Sequence, residues 1–173
     1  MKLPGPKLPQ LHLQPGELMV TREPQWIITL LGSCVAVTMF NHRLRLAAIC
    51  HGMLPQPRSH SKESAGSHSR EHFRFLSHAI PSMIDHYLRA GIKPEGIEVK
   101  MFGGGNVINL GGDPSGERWI GSANIAAAKR LLAAASLRVK AENIGGERGR
   151  KIVFNTHTGE VLHKLLSSKS HSA

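Results

Sequence analysis

The sequence predicts an α+β fold: a layered sandwich of mixed, largely antiparallel β-sheet with two or three helices packed on the outside. Three observations carry that expectation. Short β-rich runs separated by turn residues crowd the first fifty positions. Two stretches, 73–88 and 125–135, repeat apolar residues at helical spacing. Three more strand-like runs close the chain.

The elements follow in order. Residues 1–10, with Pro4, Pro6 and Pro9, read as a flexible tail. Residues 12–21 suggest strand, interrupted by a Pro15-Gly16 turn signal. Gln25 to Leu31, holding Trp26, Ile27, Ile28 and Thr29, reads as a strand that Gly32-Ser33 breaks. Val35 to Phe40 and Leu44 to Cys50 form the arms of a hairpin about Asn41-His42. The stretch 56–69 is rich in Ser, His, Pro and Gly and reads as a loop. Phe73, Leu76, Ile80, Met83, Ile84, Tyr87 and Leu88 mark a helix closed by Gly91, with Pro81 placed to kink or divide it. Ile97, Val99 and Met101 alternate as a half-buried strand does, and two glycine-rich loops, 103–106 and 111–116, follow. Ser122 is an N-cap candidate for a helix of Ile125, Ala128, Leu131, Leu132 and Ala135. Residues 137–143, 152–155 and 160–165 are three further strands, the last two joined by Thr156-His-Thr-Gly159. The expectation is a single domain over 11–166, with a second flexible tail over 167–173.

At 173 residues the chain supports one well-buried core, and 40% hydrophobic residues exclude a disordered chain. Two cysteines are no disulfide framework. No apolar run resembles a signal peptide or spans a bilayer, so a reduced, cytoplasmic protein without membrane insertion is expected. The net charge of +10 invites nucleic-acid binding, but the basic residues are scattered and no helix-turn-helix, zinc-finger or RNP pattern accompanies them. A basic surface also steers encounter with an acidic protein partner.

Cys34 lies in Thr29-Leu-Leu-Gly-Ser-Cys34-Val-Ala-Val, and His51 opens His51-Gly-Met-Leu-Pro55. One hairpin separates them, a layout that brings a thiol and an imidazole to the same end of adjacent strands. An unpaired cysteine is most often a small buried hydrophobe, which is the reading for Cys50 in Leu46-Ala-Ala-Ile-Cys50. Cys34 differs because Gly32-Ser33 permits a tight turn that exposes its side chain and leaves N–H groups free for an oxyanion. Strand alternation points His51 away from the face that buries Cys50. His60, His68, His72 and His78 cluster without clear ligand spacing, so no metal site is expected there. A rival zinc set would use Cys34, His42, Cys50 and His51. Gly103-Gly-Gly-Asn106 lacks the phosphate-loop and dinucleotide patterns and reads as close backbone packing or part of a site rim.

These residues resemble a known family, the chemoreceptor glutamine deamidases called CheD. The resemblance rests on the two strings above, on Lys100-Met-Phe-Gly-Gly-Gly-Asn106 and on Ile120-Gly-Ser-Ala-Asn124. It continues through Ala141-Glu-Asn-Ile-Gly-Gly146, Gly149-Arg-Lys151 and Thr158-Gly-Glu-Val161, in family order over residues 11–166. It implies a cysteine hydrolase that converts receptor glutamine side chains to glutamate, with Cys34 as nucleophile, His51 as base and Thr29 orienting the histidine. Gly32 and Ser33 would line the oxyanion site. The resemblance implies no metal or organic cofactor. Its partners would be the helical cytoplasmic domain of a chemoreceptor as substrate and a CheC-type phosphatase, the latter allowing a regulator as the alternative to an enzyme. The chain departs from the family in the loop 56–69, in Pro81, and in Ile120-Gly-Ser-Ala-Asn124 where Gly-Glu-Arg-Asn is commoner.

Overall fold

A computed structural model describes residue 4 and residues 7–57, 70–106 and 118–167. Among the described residues, nine strands lie in two sheets: β1 (Gln10–His12), β2 (Leu18–Thr21), β3 (Trp26–Leu31), β4 (Val35–Asn41), β5 (Leu46–Gly52), β6 (Glu98–Gly103), β7 (Val139–Ile144), β8 (Arg150–Asn155) and β9 (Val161–Leu165). Three helices accompany them: α1 (Arg70–Phe73), α2 (Leu76–Arg89) and α3 (Arg118–Ala134). One sheet runs β1-β3-β8-β9 and the other β2-β5-β4-β6-β7; β1–β3 and β6–β7 are parallel pairs and the rest antiparallel. The predicted mixed sandwich is therefore present, as an α+β fold.

The strand period of two sorts the side chains into layers. Ala36, Phe40, Ala47, Ile49 and Phe102 from the five-stranded sheet meet Ile27, Leu31, Ile152 and Phe154 from the other, all fully or nearly fully buried. The alternate residues Val35, Val37, Met39, Ala48, Cys50, Val99 and Met101 face the helices, packing on Leu76, Ala79, Ile80, Met83, Ala128 and Leu132. Each Val, Leu, Ile, Phe or Met so buried contributes about 1.5–3 kcal/mol. The four-stranded sheet carries a small apolar patch on its other face, Trp26, Ile28 and Val153, packed with Leu8 and Leu162.

Four details refine the reading from sequence. The Pro15-Gly16 turn does more than interrupt one strand, because β1 and β2 belong to different sheets. The return arm of the hairpin starts at Leu46 instead of Leu44, since Arg45 takes a left-handed φ of 51° and the Asn41 Oδ1 accepts the Leu44 N–H at 2.8 Å. Pro81 does not divide its helix: it sits exposed within α2, and the break falls earlier, between α1 and α2 at Arg74 and Phe75. Ser122 is not an N-cap. Helix α3 starts a turn earlier, at Arg118, so Ser122 is an exposed residue of its interior. The glycine-rich loop 111–116 and nearly all of the loop 56–69 lie outside the described residues.

Three connections between the sheets pass at one end of the sandwich: β1–β2, β3–β4 and β7–β8. Pairing of Leu31 with Arg150, and of Val35 with both Gly52 and Gly103, places the strand ends together there. Gly52 is where α2 meets this end. A Cβ there would stand 2.3 Å from Leu76 Cδ2, at the first residue of α2. Gly52→Ala is expected to cost about 1–3 kcal/mol through overpacking. Urea denaturation monitored by circular dichroism checks this, as a lower midpoint with unchanged slope.

Candidate active site

Thr29 and His51 come from opposite sheets and meet between them. Thr29 is on the inner face of β3 and is buried; His51, on β5, is 1% exposed. Their Oγ1 and Nδ1 atoms are 2.7 Å apart. Strand alternation delivers this arrangement as the sequence predicts, with Cys50 turned to the helices and His51 to the opposite face.

The hydrogen-bond directions follow from donor counting. The Thr29 hydroxyl has one hydrogen and donates it to the Leu13 carbonyl at 2.8 Å. Toward His51 it is therefore an acceptor, and Nδ1 carries the imidazole proton. That leaves Nε2 as a lone-pair nitrogen, and it is buried without a hydrogen-bond partner among the described residues. The backbone of His51 is also clamped: its N–H donates to Glu17 O and its carbonyl accepts from Gly16 N, both at 2.9 Å. One turn, Leu13–Glu17, thus fixes the backbone and the tautomer of the histidine.

Cys34 sits one residue before β4, at the corner where the chain leaves one sheet for the other. Its side chain is half-buried and packs against the inter-sheet cluster. Ala36 is paired with His51, so Cys34 lies two positions along the same strand face, diagonal to the imidazole. The corner is held by alternate carbonyls: Gly32 O accepts from Gly105 N and Cys34 O from Gly104 N, each at 2.8 Å. Glycine is required for that approach. Gly103 has φ +108°, and a Cβ on it would lie 2.1 Å from Cys34 O. The Gly103-Gly-Gly-Asn106 string is thus a backbone support for the Cys34 corner, as the close-packing reading expects.

Burial sets the resting charges. It raises the Cys34 thiol above its ordinary range, partly offset by the Cys34 amide itself. It lowers His51 to about 4, with the charge of Glu17 opposing. Thiol and neutral imidazole are the stable forms near neutral pH, so the site is suited to general-base activation of the thiol and not to a standing thiolate–imidazolium pair.

Two supports escaped the sequence reading. Asn124 of α3, fully buried, donates through Nδ2 to Ser33 O at 3.0 Å and to Met53 O at 2.9 Å. Arg150, also buried, donates to Asn143 Oδ1 at 2.9 Å, to Arg148 O at 3.3 Å, and to the carbonyls of Asn143 and Gly145. It joins β8 of one sheet to β7 of the other. Both residues lie in the motifs that carry the family resemblance, which was the available signal. The rival zinc set does not assemble. Cys50 faces the helices, and His42 stands at the far end of β4 beside Glu98, 3.2 Å away. Of the clustered histidines, His72 and His78 stack with ring centroids 4.2 Å apart, while His60 and His68 lie outside the described residues.

Comparison with known proteins bears on this geometry. The family model for CheD chemotactic sensory transduction matches residues 53–165. The chain is similar to a probable chemoreceptor glutamine deamidase, CheD 2, of Geobacter sulfurreducens, with 42% identity over 94% of this chain and 93% of the relative. It is likewise similar to a probable chemoreceptor glutamine deamidase CheD of Oleidesulfovibrio alaskensis, at 40% identity over 95% of this chain and 76% of the relative. The crystal structure of Bacillus licheniformis hypothetical protein YfiH aligns over 72% of this chain and 49% of that one. At 17% identity and a TM-score of 0.42 it is too distant to inform fold or chemistry.

The depressed His51 has a measurable consequence. Its unfolded form binds a proton near the ordinary value of about 6.5 while the folded form resists until about 4. Stability is therefore full above the unfolded value and falls as pH drops through that window, by at most about 1.4 kcal/mol per pH unit. Nitrogen-detected NMR titration is expected to show His51 neutral, protonated on Nδ1, down to pH values well below those of an exposed histidine.

Proposed function

The chain belongs to the CheD chemotactic sensory transduction family, and on that premise we propose that it is a cysteine hydrolase that deamidates glutamine side chains of chemoreceptors to glutamate. The observation that carries the reading is the Thr29–His51 hydrogen bond, which leaves Nε2 unprotonated on the face that Cys34 shares. A thiol beside an imidazole of fixed tautomer is the arrangement nucleophilic acyl chemistry requires.

The steps follow from the resting forms. His51 Nε2 takes the Cys34 proton as the sulfur attacks the carboxamide carbon, giving a tetrahedral intermediate. The Cys34 N–H, with that of Ser33 at the Gly32-Ser33 rim, stabilises the oxyanion. Collapse expels ammonia, which receives its proton from the His51 imidazolium, and leaves a thioester. His51 then deprotonates water, which hydrolyses the thioester to glutamate and restores the thiol. Thr29 accepts the Nδ1–H throughout and stabilises the transient imidazolium. Only Cys34 of the three is solvent-reached. That suits a side chain presented on a protein surface over a small molecule engulfed in a cavity.

The test is deamidation of receptor cytoplasmic fragments, read by the mass gain of amide-to-acid conversion. Cys34→Ala is expected to abolish turnover, and His51→Ala to lower kcat by about 10²–10⁴-fold. Thr29→Ala should lose less than His51→Ala, since it removes an orienting bond and no proton-transfer group. Full activity in Cys34→Ala would end the proposal. The acid limb of kcat/KM is expected near pH 4, the His51 value, and not near 6.5.

A further inference from the structure

We infer that Asn124 is a positioning residue for this site, setting the orientation of the Ser33–Cys34 peptide and its distance from the histidine strand. The inference rests on the reading of Cys34 and His51 as nucleophile and base, and extends it to a residue on a helix of the outer layer.

Three observations converge on Asn124. Its carboxamide is fully buried and gives both Nδ2 hydrogens to carbonyls, Ser33 O and Met53 O. Two carbonyl acceptors fix the amide orientation, since its oxygen could bond to neither. The two acceptors belong to different catalytic segments: Ser33 precedes the nucleophile, and Met53 lies two residues past His51. One side chain therefore spans the gap between the thiol-bearing corner and the end of the imidazole-bearing strand.

The planar trans peptide supplies the mechanism. In one peptide unit the C=O and N–H point in opposite directions, and this chain has no cis bonds among the described residues. Ser33 O turned toward Asn124 thus turns the Cys34 N–H away from α3. Gly32 O, bonded to Gly105 N, orients the Ser33 N–H in the same sense relative to the glycine loop. These are the two N–H groups assigned to the oxyanion. Helix α3 is itself seated by close backbone contact: a Cβ on Gly121 would lie 2.6 Å from Gly104 O, the residue whose N–H holds Cys34 O. The corner, the glycine loop and Asn124 form one unit. Losing Asn124 frees the Ser33–Cys34 peptide to rotate and lets the two segments drift, and a displacement of about 1 Å is enough to cost on the order of 10²-fold in rate.

The test separates positioning from scaffolding. Alkylation of Cys34 by iodoacetamide at neutral pH, followed by peptide mapping, reports thiol activation without receptor substrate. His51→Ala should slow it. Asn124→Ala should slow it by about 10-fold, and should lower deamidation kcat by about 10²-fold with KM within about 3-fold of wild type. In the His51→Ala background, Asn124→Ala should change alkylation by less than about 2-fold, because the pair it positions is already broken. If Asn124→Ala does not fold, as thermal melting would show, Asn124→Ser, which keeps one donor, enters the same cycle and should fall between wild type and full loss. Wild-type alkylation and turnover in the Asn124 variant, or an equal fold-loss in both backgrounds, would overturn the inference. Wild-type alkylation in His51→Ala alone would instead overturn the assignment of the base, and this inference with it.

Discussion

The bond between Thr29 Oγ1 and His51 Nδ1 joins the two sheets at the point where their separation must be correct. It is buried, it is polar, and each of its members has a second obligation. The hydroxyl must also reach Leu13 O, and the histidine backbone must also meet Gly16 and Glu17. A buried polar pair is worth little net stability when satisfied and costs about 1–3 kcal/mol when one member is lost. Its value here is specificity. The bond holds only if β3 and β5 stack in one register, and if the Leu13–Glu17 turn closes over both.

Around that bond the chain uses glycine and hydrogen bonds where a loop would otherwise be loose. The Gly32–Cys34 corner is short and changes sheet, so its carbonyls cannot join a ladder. Gly104 and Gly105 supply two N–H donors and Asn124 a third donor group, at successive carbonyls. Arg150 does the same for the neighbouring connection, bonding the carbonyls of Asn143, Gly145 and Arg148. Two of the sheet-to-sheet connections at this end are thus held by side chains from outside them, which gives a rigid floor to the candidate site around Cys34.

Rigidity and burial together decide the electrostatics. An imidazole deep between sheets resists protonation, and a half-buried thiol resists ionisation. Both effects oppose a preformed ion pair. Near neutral pH the sulfur of Cys34 therefore rests as the thiol, the less reactive form.

The sequence by itself determined the element types, the two layers of strand faces and the candidate triad. Period-two alternation in 26–31, 35–40 and 46–51 settles which residues face which side. The apolar run 46–50 assigned Cys50 to the core, and alternation then turned His51 away from it, without coordinates. Thr29 entered through motif resemblance, because a buried threonine on a strand carries no distinguishing local pattern. Only the tertiary structure decided what lies far apart in sequence. It decided that Leu13 O consumes the Thr29 proton and so fixes the histidine tautomer, that Asn124 reaches Ser33 and Met53 across separations of 91 and 71 residues, and that Arg150 ties β8 to β7. Hydrogen bonds between distant segments leave no periodicity for a sequence to display. Where Ser122 misled, the reason is the same: a local capping preference gave way to the docking of Gly121 against Gly104, which extends α3 past the residue best suited to start it.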